Sequence, residues 1–109
     1  MFENLYDAMS LIFSRWWPIA SGAITAVDIE EIRLDEGSYS RLAVAYKFSV
    51  GNDGPYTGES FWRSSMSFDE EGRLASAKRR LNDGQSVLVR YRPDDPSVNR
   101  LDRTVWQGF

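Results

Sequence analysis

Neither cysteine nor histidine occurs in the chain. Their absence excludes a disulfide framework, a thiol nucleophile, a Cys/His zinc site and a histidine general base. Only an all-oxygen Mg²⁺ or Ca²⁺ site would be open to its carboxylates. Positive charge is not in excess either. A formal net charge of −3 argues against a general nucleic-acid or anionic-membrane binder. No apolar run reaches the ~20 residues that a membrane span requires, and there is no Gly-x-Ser-x-Gly elbow, P-loop or dinucleotide fingerprint. No enzymatic activity, cofactor or metal is expected. The start, Met1-Phe2-Glu3-Asn4, lacks the basic opening of a signal peptide, which leads to the expectation of a cytoplasmic protein.

What is present is enough for one packed domain. With 109 residues and 42% hydrophobic content, such a chain buries roughly 60–70% of its unfolded surface. Charge is unevenly placed: residues 1–60 hold 4 Lys/Arg against 9 Asp/Glu, and residues 61–109 hold 9 against 7. The division expected is an amphipathic helix over 1–17 and a β-rich domain over 18–109. In the first segment Phe2, Leu5, Tyr6, Met9, Ile12, Phe13, Trp16 and Trp17 recur at helical spacing within one arc of about 140°. Pro18 ends the pattern, because the residue before a proline is pushed out of the α region. Eight large apolar side chains need cover. Three covers fit the pattern: the helix's own domain, a second copy or another protein, or a membrane surface.

Beyond Pro18 the pattern turns extended. Ile19 to Leu34 reads as a long strand in which Gly22 marks a bulge or bend. Asp35-Glu36-Gly37-Ser38 is a turn. Leu42, Val44, Tyr46, Phe48 and Val50 then alternate with Ala43, Ala45, Lys47 and Ser49, the period of a half-buried strand. Gly51 to Pro55 is a hairpin loop and Tyr56 to Arg63 a third strand. Ser67-Phe68-Asp69-Glu70 fits a capping box. It opens a helix with a Leu74, Ala77 and Leu81 stripe, which Gly84 is placed to end. Val87, Val89 and Tyr91 alternate with Leu88, Arg90 and Arg92 in a fourth strand closed by Pro93 and Pro96, since proline cannot donate to a ladder. A short fifth strand lies near Val98–Leu101, and the tail Val105–Phe109 is apolar enough to dock. Strand-strand-strand-helix-strand-strand is the order of an OB-type five-stranded antiparallel barrel, an α+β fold, with a partly open β-roll as the competitor.

One family shares many of these residues. Trp17-Pro18, Gly22-x-Ile24-Thr25, Tyr46-x-Phe48-x-Val50-Gly51, Tyr56-x-Gly58, and Gly84-x-x-Val87-x-Val89-x-Tyr91-x-Pro93-x-Asp95-Pro96 with Leu101 resemble the bacterial family known as domain of unknown function 3592. The resemblance spans about residues 16–103. It implies a small β-rich domain that many members carry beside transmembrane helices, which makes membrane association the alternative location. The N-terminal segment departs from that pattern, being amphipathic rather than fully apolar. The family carries no known activity, and so no catalytic residue.

The polar residues read mainly as structure. Asp94 and Asp95, between two prolines, suit a turn; Ser38, Ser40, Ser64, Ser65 and Ser67 suit turns and caps; Asp69, Glu70 and Glu71 suit a helix start; Lys78-Arg79-Arg80 suits a helix end. The leading expectation is a non-catalytic protein-interaction or accessory module, whose partner surface is the Phe2–Trp17 stripe. A homo-oligomer or a protein partner would meet it there. The alternative is an OB-type binder of single-stranded nucleic acid or oligosaccharide. Its ligand face would be Trp62, Arg63, Arg90 and Arg92, supported by Lys47 and Tyr56.

Overall fold

In the computed structural model, residues 16–63 and 70–106 are described. The helix expected over 1–17, all of its stripe before Trp16, and the Ser67 cap lie outside them. The chain runs through β1 (Ile19–Leu34), β2 (Gly37–Val50), β3 (Asp53–Trp62), α1 (Glu70–Arg80), β4 (Ser86–Arg92), β5 (Asp95–Leu101) and a 3-10 turn (Arg103–Trp106). The strands form one antiparallel sheet in the order β3-β2-β1-β4-β5. The long first strand is central. It pairs with β4 from Ile19↔Arg90 to Ala23↔Ser86 and with β2 from Gly22↔Phe48 to Leu34↔Gly37.

Alternation decides which face is which. Leu42, Val44, Tyr46 and Phe48 of β2 and Val87 and Val89 of β4 are buried, and Leu74, Ala77 and Leu81 of α1 join them in the same core with Ile24 and Leu101. Seven of these side chains are essentially sealed from solvent: Tyr46, Ile24, Leu42, Leu74, Leu101, Val44 and Val89. Each such burial stabilises by about 1.5–3 kcal/mol. Phe48 gathers a ring cluster, its centroid 5.7 Å from that of Tyr56 and 6.1 Å from that of Tyr91.

The bulge in β1 is real but sits at a different residue. The register shifts between Ile24 and Ala26, so Thr25 is the extra residue and the inward phase passes from Ile24 to Val27. Gly22 is regular; a Cβ there would come within 2.7 Å of the Lys47 carbonyl oxygen and 3.0 Å of Val89 Cγ2. It is glycine because β1 and β2 approach closely over the core. Boundaries also move. β3 begins at Asp53, inside the expected Gly51–Pro55 loop, and ends at Trp62. α1 ends at Arg80, three residues before the stretch that Gly84 closes by donating its N–H to the Ile24 carbonyl at 2.8 Å. β5 begins at Asp95, inside the Pro-Asp-Asp-Pro segment.

The expected barrel is not formed. β3 and β5 remain the sheet's edges, with no backbone ladder between them. They do come together, running parallel as the all-antiparallel order requires, and side chains hold the seam. Leu101 N–H donates to Ser60 Oγ at 3.1 Å, and Asn99 Nδ2 donates to the Thr57 carbonyl at 3.2 Å. At 2.6 Å the Tyr46 hydroxyl donates to Asn99 Oδ1. Serine and asparagine side chains stand where a closing ladder would have put backbone, so the sheet curls without sealing.

Candidate functional site

The seam is the first place where polar groups converge. Asn99 Nδ2 reaches the carbonyls of Pro96 at 3.0 Å and Ser97 at 3.2 Å as well as Thr57, while its oxygen takes the Tyr46 proton. Burial raises the Tyr46 phenol above its ordinary value, against the opposing influence of Ser60 and Arg100. Gly58 makes room: a Cβ there would fall on Asn99 Oδ1 and lie 2.5 Å from the Tyr46 hydroxyl. The side chains of Tyr46, Asn99 and Ser60 are thus bonded to one another or to the chain's own backbone, and the arrangement is a fastening.

A second convergence anchors the entry into β1. Arg90 Nε donates to Asp102 Oδ1 at 2.7 Å, and Arg90 Nη1 to the Trp17 carbonyl at 2.8 Å. The Thr104 hydroxyl and the Thr104 backbone N–H donate to Asp102 Oδ2 at 2.5 and 3.3 Å. Asp102 is only 6% exposed. The Thr104 hydroxyl, with the Arg90 guanidinium, outweighs burial and holds the carboxyl down at about 2. Tyr91 N–H completes the anchor by donating to the Pro18 carbonyl at 3.1 Å.

The residues expected to form a ligand face do not share one. Trp62 pairs with buried Leu42 and packs partly against the core, on the inner side of the sheet. Arg90 is committed to Asp102 and Trp17. Arg92 forms a bidentate pair with Asp94, 2.7 Å from Nε to Oδ1 and 3.0 Å from Nη2 to Oδ2, which lowers the Asp94 carboxyl. Arg63 lies over the Tyr39 ring at 4.1 Å, across the sheet from β4. Tyr56 belongs to the core ring cluster, and Lys47 lies exposed on the outer face. Asp95 is the turn former, accepting from Ser97 N–H at 3.2 Å and the Ser97 hydroxyl at 2.6 Å.

The family can now be placed against this geometry. The model of the domain of unknown function DUF3592 matches residues 20–106. The chain belongs to the DUF3592 family. Neither a curated protein nor a solved structure matches it. The DUF3592 match covers nearly all of the described body. The residues that carried the resemblance have structural tasks: Gly22 and Gly58 admit close neighbours, Tyr46 fastens the seam, and Asp95 turns the chain. Among the described residues no group of three or more Asp or Glu gathers as a metal site, and no helix is long and apolar enough to cross a membrane.

Two surfaces remain. One is the far part of the β1–β2 hairpin. The β2–β3 register begins at Leu42↔Trp62 and the β1–β4 register ends at Ala23↔Ser86, so Glu30 to Arg41 projects as a two-stranded arm. On its outer face Ile32 opposes Tyr39 and Glu30 opposes Arg41. Arg41 donates to Glu30 at 3.1 Å and lies 3.6 Å above the Phe61 ring. Leu34 is 61% exposed and Phe61 42%. The other surface is a shallow groove of about 300 Å³ between the outer side of β1–β4 and the 3-10 turn, with Leu88 and Val105 among Ser21, Ser86 and Thr104. Asn99, Asp102 and the arm's Arg41–Phe61 contact were not singled out from sequence. The only available signal was the outward parity of Arg41 and Phe61 on neighbouring strands, which becomes readable once the register is known.

Proposed function

We propose that this domain is a non-catalytic protein-interaction module and that the β1–β2 arm presents its contact surface. The observation that carries this is the arm's outer face: Ile32, Leu34, Tyr39 and Phe61 line up with Arg41 and Arg63 stacked on the two rings. Aromatics and arginine are the side chains that interfaces favour. An isolated two-stranded ribbon is also only marginally stable in water, so a covering surface benefits it. The sequence supports the non-catalytic part, having no histidine or cysteine to serve as base or nucleophile. Association through the Phe2–Trp17 stripe, eight large apolar side chains at helical spacing, is the second contact in this reading.

A photo-crosslinking residue at Leu34 or Phe61, introduced singly in the native cell, tests it. A discrete protein adduct at these positions, absent from a control at Lys47 on the same outer face, is the expected result. Adducts no different from the Lys47 control would remove the arm from consideration.

A further inference from the structure

On its β4 side, β1 has no strand paired beyond Ala23 among the described residues. Ile24 still bonds there, taking the Gly84 N–H and donating to the Gln85 carbonyl at 2.9 Å. Lys78 of α1 comes within 4.0 Å of Asp28. Residues 30–34 then have β2 on one side and, among the described residues, no strand on the other. This edge is regular, since the register with β2 runs from Ala26↔Ala45 to Leu34↔Gly37 without a further shift. A row of backbone N–H and C=O groups without a ladder partner is a template for another strand.

Parity decides which backbone groups lie on that edge. Leu34↔Gly37 closes the two-residue turn at Asp35 and Glu36, so it is a hydrogen-bonded pair, and such pairs alternate along an antiparallel ladder. Leu34, Ile32 and Glu30 therefore turn their N–H and C=O toward β2, while Arg33 and Glu31 turn theirs to the open edge. The same two residues carry its charge, 3.6 Å apart, with side chains 85% and 54% exposed. Charge on an edge ordinarily repels a second strand. Here the signs are opposite, and register decides the outcome. A two-fold axis at Glu31 would set Glu31 against its own copy, and one at Arg33 would do the same to Arg33. An axis between two residues would set outward backbone groups against inward ones. With the axis at Ile32, each Glu31 faces the Arg33 of the other copy, and their outward N–H and C=O groups meet as hydrogen-bonded pairs.

We infer that the edge at residues 30–34 pairs antiparallel with the same edge of a second copy, about a two-fold axis at Ile32, and joins two five-stranded sheets into one. The inference rests on the arm being the contact element and names its partner. The contact is the same patch on both copies, so it closes as a dimer and does not propagate. Ile32 meets its own copy on the outer face, where Tyr39 opposes it, and the two Glu31–Arg33 pairs lie on the other face. Five residues a side make a short contact, so the pairing is reversible and rises with protein concentration.

Charge exchange in the full chain is the test. Glu31→Arg and Arg33→Glu each set like charges opposite one another in both pairs of a homodimer, and each should weaken self-association at least about tenfold in sedimentation. Mixed together, the two variants restore both pairs, and the mixture should dimerise about as tightly as the wild type. A wild-type chain that stays monomeric would overturn the inference. So would single variants that dimerise like the wild type, or a mixture that fails to recover. The cysteine-free chain gives a second readout. Facing residues in a non-hydrogen-bonded pair have Cα atoms about 4.5 Å apart, within disulfide reach. Ile32→Cys should therefore oxidise to a linked dimer far faster than Leu34→Cys, whose two copies would stand about 13 Å apart along the strands; equal rates would overturn the inference. Adducts from Leu34 or Phe61 to a different protein, with a monomeric chain, would sink the dimer and leave the arm's contact role standing. Loss of both adducts and dimer would remove both.

Discussion

The two ends of the long hairpin are built by opposite means. At the seam, where β3 meets β5, and at the nearby entry into β1, nearly every polar side chain is bonded to another part of the chain: Tyr46 to Asn99, Asn99 to Thr57, Ser60 to Leu101, Arg90 to Asp102. At the arm the same two strands, β1 and β2, continue with no third strand paired on either side, and on its outer face Arg41 meets Glu30 and Phe61 while Arg63 lies over Tyr39. One strand pair is therefore scaffold at one end and display at the other. The reason is neighbour count: a strand flanked on both sides has its side chains committed to packing, while a two-stranded ribbon leaves a face to water or to a partner.

That contrast can be broken or sharpened by substitution. The largest effect belongs to Gly58→Ala. Its methyl has no room between Tyr46 and Asn99, so about 3 kcal/mol or more of stability should be lost, read from urea unfolding. A loss below about 1 kcal/mol would mean that the seam is loose. Asp102→Ala should follow at about 2–4 kcal/mol, since it strands the half-buried Arg90 guanidinium. Acid provides a second view of this site. The Asp102 carboxyl at about 2 in the folded protein lies below the ordinary carboxylate value of about 3.9, so the unfolded chain takes up the proton first as pH falls. Its contribution, about 2–3 kcal/mol, is complete above roughly pH 5 and is lost as pH drops toward 2. The stability gap between the wild type and Asp102→Asn should narrow correspondingly between pH 5 and pH 2, whereas a constant gap would contradict the assignment.

Tyr46→Phe comes next. It removes the hydroxyl and leaves Asn99 Oδ1 without that donor, at a cost of about 1–2 kcal/mol in thermal or urea unfolding. The smallest effect belongs to the arm: Leu34→Ser should change stability by no more than about 0.5 kcal/mol, and arm amides should exchange with deuterium well before those of β2 at Tyr46. Comparable protection at both ends would show that the arm is covered in the isolated domain.

Much of the scaffold was legible beforehand because it depends on local pattern. The period-two run at Leu42–Val50 named the inward face of β2, and the Leu74, Ala77 and Leu81 stripe named the buried face of α1; all of these inward residues are buried or nearly so. The bulge was misplaced at Gly22 because glycine in a strand permits either a bulge or a close approach, and only the neighbouring strand distinguishes them. The ligand face failed on the same ground. Arg90 and Arg92 were correctly assigned to the outward side of β4, but parity says nothing about Asp102 reaching Arg90 from twelve residues further on.

The order of strands and helix, the central length of β1, the absence of histidine and cysteine chemistry and the membership in a β-rich family all follow from the linear chain, because each rests on residue type, spacing or local periodicity. Whether the sheet closes, which arginines are already engaged and where an apolar face is left open were settled by folding. The seam and the entry into β1 depend on residues far apart in the chain, Tyr46 with Asn99 at 53 positions and Trp17 with Arg90 at 73, and no local pattern records such a meeting.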